Sequence, residues 1–138
     1  MEFVKDQSAG YLANHMARLF ARGLTTRIKP LGLTIGTFPA LLELWEKDGL
    51  TQKELVVRLD IEQATMANTL TRMERDGLIV RKRDVSDGRV QRVWLTDCAR
   101  DLHGSAIEAA RAENSAVLCS LSEDEQRQLI ALMQKVIA

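Results

Sequence analysis

The residues most able to do chemistry lie on the outer face of one amphipathic segment, residues 62–75. Met66, Thr69, Leu70 and Met73 recur there at the three- and four-residue spacing of a helix with one buried face. The opposite face is polar, and most of its side chains are short. Short hydrogen-bonding side chains and arginines are the groups that reach base edges and phosphates in DNA. The candidate contact residues of this segment are Gln63, Ala64, Thr65, Asn68, Thr71, Arg72 and Arg75.

A basic hairpin directly follows this segment. Gly77 can adopt the left-handed conformation that ends a helix, and residues 78–95 are predicted to form two strands joined by a turn at residues 84–88. The stretch 72–92 holds 7 basic and 4 acidic residues. Alone, the polar helix face is consistent with an ordinary solvated surface. The basic hairpin favours DNA, with the helix in the major groove and the hairpin tip along the backbone or in the adjacent minor groove. Arg83 joins the candidate contacts.

Local signals place a short helix directly before the polar segment. Thr51 and Glu54 have the spacing of a capping box, which predicts a helix start at this point. Leu55 and Leu59 give this helix an apolar stripe, and Asp60 interrupts it. The order of two helices and a charged hairpin is that of a winged helix-turn-helix.

Two further helices are predicted nearer the N-terminus. The first runs from about Ser8 to the Lys29–Pro30 pair. Either Thr34 or Thr37 caps the second. Because Pro39 would remove a hydrogen bond inside a helix begun at Thr34, we favour a start at Thr37, which puts the proline in the first turn.

The C-terminal part is also predicted to be helical. Thr96 caps one long helix from Asp97 towards Cys119, and Ser122 with Glu125 forms a second capping box that opens a final helix. These helices and the first are too long and too apolar on one side for a lone compact winged domain. We therefore expect their spare surface to need a partner.

Composition fits a single helical domain. The 138 residues suffice for a core, only 4% are aromatic, and the 19 basic and 19 acidic residues cancel. The positive charge is nevertheless local, with a net +2 over residues 51–96 and −3 over residues 97–138. Because only the local field meets phosphate, a neutral total does not exclude DNA. It does argue against a strongly cationic, non-specific binder.

Other functional classes find little support. The two histidines, His15 and His103, are far apart, and no Gly-rich phosphate loop follows a strand. We expect no enzymatic activity, no metal and no cofactor. There is no secretory signal and no apolar run near the ~18 residues of a membrane span. Two cysteines without metal-ligand spacing fit a reducing interior, so we expect a cytoplasmic protein.

In order and spacing, nearly the whole chain resembles the MarR family of winged helix-turn-helix transcriptional regulators. The specific match runs from Leu50 to Thr96, including LTQKELVVRLDIEQATMANTLTRMERDGLIVR and the closing Leu95-Thr96. The resemblance implies a mainly α fold with a small β-hairpin wing, in one domain over residues 1–138. At the wing tip it implies that Arg89 enters the DNA minor groove and that Asp87 holds it. Many members carry another arginine where this chain has Gly88.

The resemblance also implies partners. Helices within residues 8–30 and 97–138 would form a homodimer, and residues 34–96 would form the DNA-binding lobe. Two such lobes about 34 Å apart fit a palindromic operator. The implied function is a repressor that a small, often anionic aromatic ligand releases from DNA. The candidate effector residues are His15, Arg18, Arg22 and Trp45.

Three alternatives stay open at this stage. Cys98 or Cys119 could make the protein a redox-responsive regulator of the same fold, although Cys119 is expected to be a small core residue on the same helix as Cys98. The lobe could be a protein-interaction module without DNA binding. The chain could also be a monomeric helical bundle with a hairpin that binds nothing.

Overall fold

Seven helices and three short strands are described by the structure, a computed structural model that covers all residues 1–138. The helices are α1 (Ala9–Ile28), α2 (Phe38–Glu46), α3 (Gln52–Leu59), α4 (Gln63–Arg75), α5 (Asp97–Asp101), α6 (His103–Val117) and α7 (Glu123–Ile137). The strands are β1 (Leu50–Thr51), β2 (Ile79–Arg83) and β3 (Gln91–Leu95). The predicted fold class, mainly α with a small hairpin, is confirmed. No helix is long and apolar enough to span a membrane.

The chain divides into two compact units, which are described separately. The first, the terminal unit, comprises residues 1–27 and 108–138; the second, the winged unit, comprises residues 28–107. The winged unit holds nearly all of the fully buried apolar side chains. Those with almost no exposed surface are Ile28, Leu41, Leu44, Leu50, Leu55, Met66, Leu70, Met73, Ile79 and Val93.

The predicted capping box sets the start of α3. The Thr51 hydroxyl accepts a hydrogen bond from the Glu54 amide, and the Glu54 carboxylate accepts one from the Thr51 amide. These bonds satisfy two of the amides that every helix start leaves unpaired. The backbone bond to Thr51 is also the main cause of the lowered pKa of Glu54. α3 ends where Asp60 adopts the left-handed conformation, with φ of 52°.

α2 starts at the position that Pro39 predicts. The helix begins at Phe38, so Pro39 stands in the first turn and costs no hydrogen bond. Thr37 is the residue before the helix, but its hydroxyl donates to the Thr34 carbonyl, 3.1 Å away, instead of capping the helix. The predicted boundary is therefore right, while the side-chain cap at this position is wrong.

The hairpin belongs to a three-stranded antiparallel sheet with the order β1-β3-β2. The predicted pair of strands is confirmed, with Val80 opposite Trp94 and Arg83 opposite Gln91. The two-residue strand β1 joins the other edge of β3, where Leu50 lies opposite Val93. No local pattern indicated this strand, because its pairing partner is more than forty residues away.

The terminal unit contains α1, α7 and the greater part of α6. Ser8 accepts a hydrogen bond from the Tyr11 amide at the predicted start of α1, and Ser122 with Glu125 forms the predicted capping box of α7. Glu113 is the one buried charged side chain of this unit. Its carboxylate packs where Gly23 leaves no side chain, and it accepts a hydrogen bond from Arg27 Nε at 3.0 Å.

Two predictions for the C-terminal part are wrong. The single helix from Asp97 to Cys119 is interrupted at Leu102, which separates α5 from α6. The helix also stops at Val117, so Cys119 follows it and is exposed in the chain, as is Cys98. Cys119 is therefore not the buried core residue expected from the usual burial of free cysteines.

Candidate nucleic-acid interface

The burial of the inner face of α4 determines which residues form its outer face. Met66, Leu70 and Met73 are at most 1% exposed, and Thr69 is buried beside them. This packing fixes the rotation of the helix about its axis, so the opposite residues must face outwards. All seven sequence-predicted contact residues of α4 are exposed: Gln63, Ala64, Thr65, Asn68, Thr71, Arg72 and Arg75.

Four of these residues line a shallow concave surface on α4: Thr65, Asn68, Thr71 and Arg72. The side chains of Thr65 and Asn68 make no hydrogen bond within the chain, so their donors and acceptors are available to a ligand. The Thr71 hydroxyl, in contrast, donates to the Ala67 carbonyl at 3.0 Å and accepts from Arg81 at 3.3 Å. Asn68 is therefore better equipped than Thr71 to read a base edge.

Two other predicted contacts are already engaged. Gln63 accepts a hydrogen bond from Gln52 at 3.0 Å, which ties the start of α4 to the start of α3. Arg72 lies near the Thr69 hydroxyl, with its Nη2 at 3.4 Å. Both remain on the exposed surface, so each keeps polar groups directed towards solvent.

The wing, residues 79–95, carries five basic side chains in two different states. Arg81 is 24% exposed, and it forms an ion pair with Glu74 of α4 at 3.2 Å, which lowers the pKa of Glu74. Arg92 is 37% exposed and pairs with Asp84. Lys82 and Arg83 are exposed, and their side chains make no hydrogen bond within the chain. Arg81 and Arg92 therefore hold the wing in place, whereas Lys82 and Arg83 face solvent.

Arg89 stands at the wing tip with 91% of its side chain exposed. Asp87 holds it from one side. The Asp87 carboxylate accepts hydrogen bonds from the Arg89 amide at 3.0 Å, from Nε at 3.1 Å and from Nη2 at 3.3 Å. The side-chain bond to Arg89 is the main cause of the lowered pKa of Asp87. The guanidinium is therefore held at its base while its outer edge faces solvent.

The tip loop, residues 84–90, is shaped by Asp84. One carboxylate oxygen accepts from the amides of Ser86 and Asp87 at 3.1 and 3.0 Å, and the other accepts from Arg92 Nε at 2.7 Å. The bond to Arg92 is the main cause of the lowered pKa of Asp84. Asp84 and Arg92 were not among the sequence-predicted site residues. Turn chemistry drew attention to Asp84, but no local signal connected it to Arg92.

The candidate effector residues lie in different units. His15, Arg18 and Arg22 are exposed on α1 in the terminal unit. Trp45 lies in the winged unit, where its Nε1 donates to the Ala99 carbonyl at 3.0 Å and its ring meets His103 edge to face at 5.3 Å. These contacts fix the indole as part of the unit's own packing. No cluster of three or more His, Cys, Asp or Glu side chains could hold a metal ion.

Known proteins share both the sequence and the fold of this chain. The model of the MarR family matches residues 33–90. An HTH-type transcriptional regulator of Bacillus cereus is 34% identical over 114 residues, which cover 79% of this chain and 73% of that protein. The chain belongs to the MarR family. It is a DNA-binding transcriptional regulator, and the outer face of α4 with the wing is its candidate DNA interface.

Two further relatives cover nearly the whole length of this MarR regulator. An HTH-type transcriptional repressor of Mycobacterium tuberculosis is 29% identical over 136 residues, which are 99% of this chain and 98% of that protein. Among solved structures, the PcaV transcriptional regulator from Streptomyces coelicolor, in complex with its natural ligand, is 25% identical and superposes with a TM-score of 0.87. That match covers 99% of this chain and 96% of PcaV.

Proposed function

We propose that this MarR regulator represses transcription as a homodimer that binds DNA through α4 and the wing of each copy. α4 enters the major groove, where Asn68 and Thr65 meet base edges and Arg72 positions the helix. Arg89 at the wing tip enters the adjacent minor groove. Gln63, Thr71, Arg75 and Arg83 contact the phosphates, and the small side chain of Ala64 lets α4 approach the base edges closely.

One observation carries this proposal: the exposed groups best suited to DNA are the ones without a role in the fold. The side-chain amide of Asn68 has no partner in the chain, and Arg89 presents a guanidinium that is 91% exposed yet braced by Asp87. Side chains left free on a rigid scaffold can exchange water for base and phosphate contacts without disturbing the lobe. Both residues belong to the winged unit.

The apolar surface of the terminal unit supports the homodimer. No residue of α7 is buried, and α1 leaves Leu12 and Leu19 at least 40% exposed. The exposed apolar residues of α7 are Ile130, Leu132, Met133, Val136 and Ile137. A patch of this kind marks an interaction surface, and a twofold dimer would cover it with the same patch of a second copy.

Repression and its control by a ligand rest on the relatives. The Mycobacterium tuberculosis relative is named a repressor, and PcaV was solved with its natural ligand. For this chain we propose a small aromatic acid as effector, because His15, Arg18 and Arg22 form a row of cationic or imidazole groups on α1. To control DNA binding, such a ligand must bind the arrangement that binds DNA and the arrangement that does not with different affinities. Anisotropy of a DNA complex titrated with hydroxylated benzoic acids, for wild type and Arg18→Ala, tests this part.

A mobility-shift assay against the DNA that flanks the protein's own gene tests the main proposal. Wild type should shift one fragment in the presence of excess unrelated DNA, and the shifted fragment should contain an inverted repeat. Arg89→Ala should weaken the complex, whereas Lys29→Ala, which removes an equal charge from an exposed position outside α4, the wing and α7, serves as the matched control. A wild-type protein that shifts no flanking fragment, or shifts all DNA equally, would contradict sequence-specific regulation.

Exposure of both cysteines favours one second candidate, a redox-responsive regulator of the same fold. Cys98 and Cys119 are free thiols that solvent can reach in the chain. Oxidation of either would change the charge or size of an exposed side chain. Mass spectrometry after mild peroxide, together with DNA binding by Cys98→Ser and Cys119→Ser, decides it. DNA affinity that ignores peroxide rejects this candidate and leaves the main proposal intact.

A further inference from the structure

Arg92 connects the hairpin to a segment of the winged unit about forty residues earlier in the chain. From β3, its Nε donates to Asp84 at 2.7 Å and its Nη1 donates to the Gly49 carbonyl at 2.9 Å. The same Nη1 lies 3.7 Å from the carboxylate of Glu54. Arg92 therefore ties the tip loop to the segment that starts α3.

The tip loop has little else to hold it. Its backbone closes with two hydrogen bonds, from Asp84 to the Val90 carbonyl and from Val90 to the Asp87 carbonyl. Val85 is completely exposed and Val90, at the end of the loop, is only half-buried, so apolar burial contributes little to holding the loop. Ordering such a loop costs conformational entropy that apolar burial does not offset here. The carboxylate of Asp84, which binds the amides of Ser86 and Asp87, is the main side-chain restraint.

Arg92 in turn restrains Asp84. A chain of contacts runs from Arg92 to the Asp84 carboxylate, from there to the Asp87 amide, and through the Asp87 carboxylate to Arg89. Every step is a hydrogen bond of at most 3.1 Å. The position of the exposed Arg89 guanidinium therefore depends on a residue three positions further along the chain.

The charge of Arg92 is already balanced within the protein. It has two acidic neighbours, Asp84 and Glu54, and their effect raises its pKa. Two of its three guanidinium nitrogens have partners in the chain, and 37% of its side chain is exposed, against 91% for Arg89. A guanidinium engaged in this way is poorly placed to bind a phosphate, because only Nη2 is left without a partner and the phosphate would be repelled by two nearby carboxylates.

We propose that Arg92 is a positioning residue for DNA binding: it anchors Asp84 and the tip loop to the start of α3, and so presents Arg89 without touching DNA itself. This inference rests on the proposed role of Arg89 at the minor groove. Arg92 differs from the outward-facing arginines of the same hairpin. Its guanidinium binds groups of the winged unit, whereas theirs face solvent.

Loop order in the DNA-free protein gives the first test. Amide order parameters from NMR relaxation should be near the rigid value of ~0.85 for residues 84–90 in wild type, and should fall towards ~0.6 in Arg92→Gln. Asp84→Asn keeps an acceptor for the two amides but loses the ion pair, so it should loosen the loop similarly. Arg83→Gln is the matched control, because it removes the same charge from the same hairpin without losing a contact. Unchanged loop order in Arg92→Gln overturns the inference.

A double-mutant cycle on DNA gives the second test. Arg92→Gln should weaken operator binding about five- to tenfold, but in the Arg89→Ala background the same change should cost less than about twofold, because contacts acting through one residue are not additive. Salt dependence separates the roles: a direct phosphate contact would lower the slope by ~1 in either background. The inference is overturned if the double variant loses affinity by the product of the two single losses. It is also overturned if Arg92→Gln lowers the salt slope further in the Arg89→Ala background.

The failures of the two proposals are distinguishable. If Arg89→Ala binds DNA like wild type, the proposed wing contact is wrong, whatever the loop does. If Arg89→Ala weakens binding while Arg92→Gln does not, the wing contact stands and the positioning role of Arg92 is wrong. Circular dichroism and the unfolding midpoint of each variant show that the winged unit is folded, and Arg92→Lys, which can still pair with Asp84, should recover part of the affinity.

Discussion

α4 and the tip of the wing are held in place by opposite means. α4 is fixed by Met66, Leu70 and Met73, which are all but completely buried. The tip of the wing is fixed by hydrogen bonds and ion pairs among exposed or half-exposed groups, above all Asp84 with Arg92 and Asp87 with Arg89. One element depends on the hydrophobic core, whereas the other depends on charge.

This difference matters for recognition. Because the core sets the orientation of α4, side chains on its outer face can be exchanged at little cost to the fold. The tip loop of the wing, residues 84–90, buries much less apolar surface: Val85 is completely exposed and Val90 is half-buried. The tip should respond to salt, to acid and to single charge changes, none of which should move α4.

The largest effect is expected on the buried side of α4. Leu70 is fully buried, so Leu70→Ala should lower the free energy of unfolding of the winged unit by ~2–5 kcal/mol, through lost burial and a residual cavity. Asn68→Ala, two positions away on the exposed face, should change it by less than about 0.5 kcal/mol. Urea unfolding followed by circular dichroism measures both. Equal losses for the two variants would contradict the division of α4 into a structural and a functional face.

DNA binding should reverse that order. Asn68→Ala should weaken binding to the preferred operator by ~1–3 kcal/mol and change the preferred base at one position of each half-site, because the amide reads a base edge. Selection of bound sequences from a randomised operator library measures the preference. An unchanged preferred sequence would show that Asn68 does not read DNA.

At the wing the expected effect is smaller and independent of sequence. Arg89→Ala should weaken binding to all duplexes alike and reduce the salt slope by ~1. Asp87→Asn keeps the charge of Arg89 and one oxygen acceptor but removes the ion pair that holds Arg89, so its loss should be smaller than that of Arg89→Ala. Anisotropy over a series of salt concentrations compares the two. A greater loss for Asp87→Asn would mean that Asp87 does more than hold Arg89.

The smallest effect is a titration in the DNA-free protein. The pKa of Asp84 is lowered from its ordinary value of 3.8, chiefly by Arg92. A lowered pKa means that the ion pair contributes fully above pH 3.8 and is lost as the pH falls through the lower, folded value. Carboxyl carbon shifts should therefore give a midpoint below 3.8 for Asp84 and a higher midpoint in Arg92→Gln. A wild-type midpoint at or above the ordinary value would exclude the ion pair in solution.

Much of the fold follows from local sequence signals. The capping boxes at Thr51 and Ser122, the buried face of α4 and the turn after Asp84 each depend on residues within a few positions of one another. Such patterns act through short-range hydrogen bonds and helical periodicity, so the sequence alone reveals them. The starts of α3 and α7 and the exposure of the candidate contacts were predictable for this reason.

What could not be predicted depends on distant residues. The pairing of Leu50 with Val93 and the bond from Arg92 to the Gly49 carbonyl each join positions 43 residues apart. The interruption at Leu102 and the exposure of Cys119 depend on how neighbouring elements pack, which a helical pattern does not record. For the same reason the family resemblance pointed to Arg89 at the tip, but nothing in the sequence indicated the bond between Arg92 and Asp84 in the same loop.

Footprinting on the operator tests the central claim most directly, namely that α4 and the wing of one lobe contact adjacent grooves of one duplex. Dimethyl sulfate reports guanine N7 in the major groove, and hydroxyl radicals report the minor-groove side of the backbone. Wild type should protect two major-groove sites ~10 base pairs apart, each with an adjoining minor-groove site. Arg89→Ala should lose the minor-groove protection alone. Minor-groove protection that persists in Arg89→Ala, or no major-groove protection by wild type, would contradict the account.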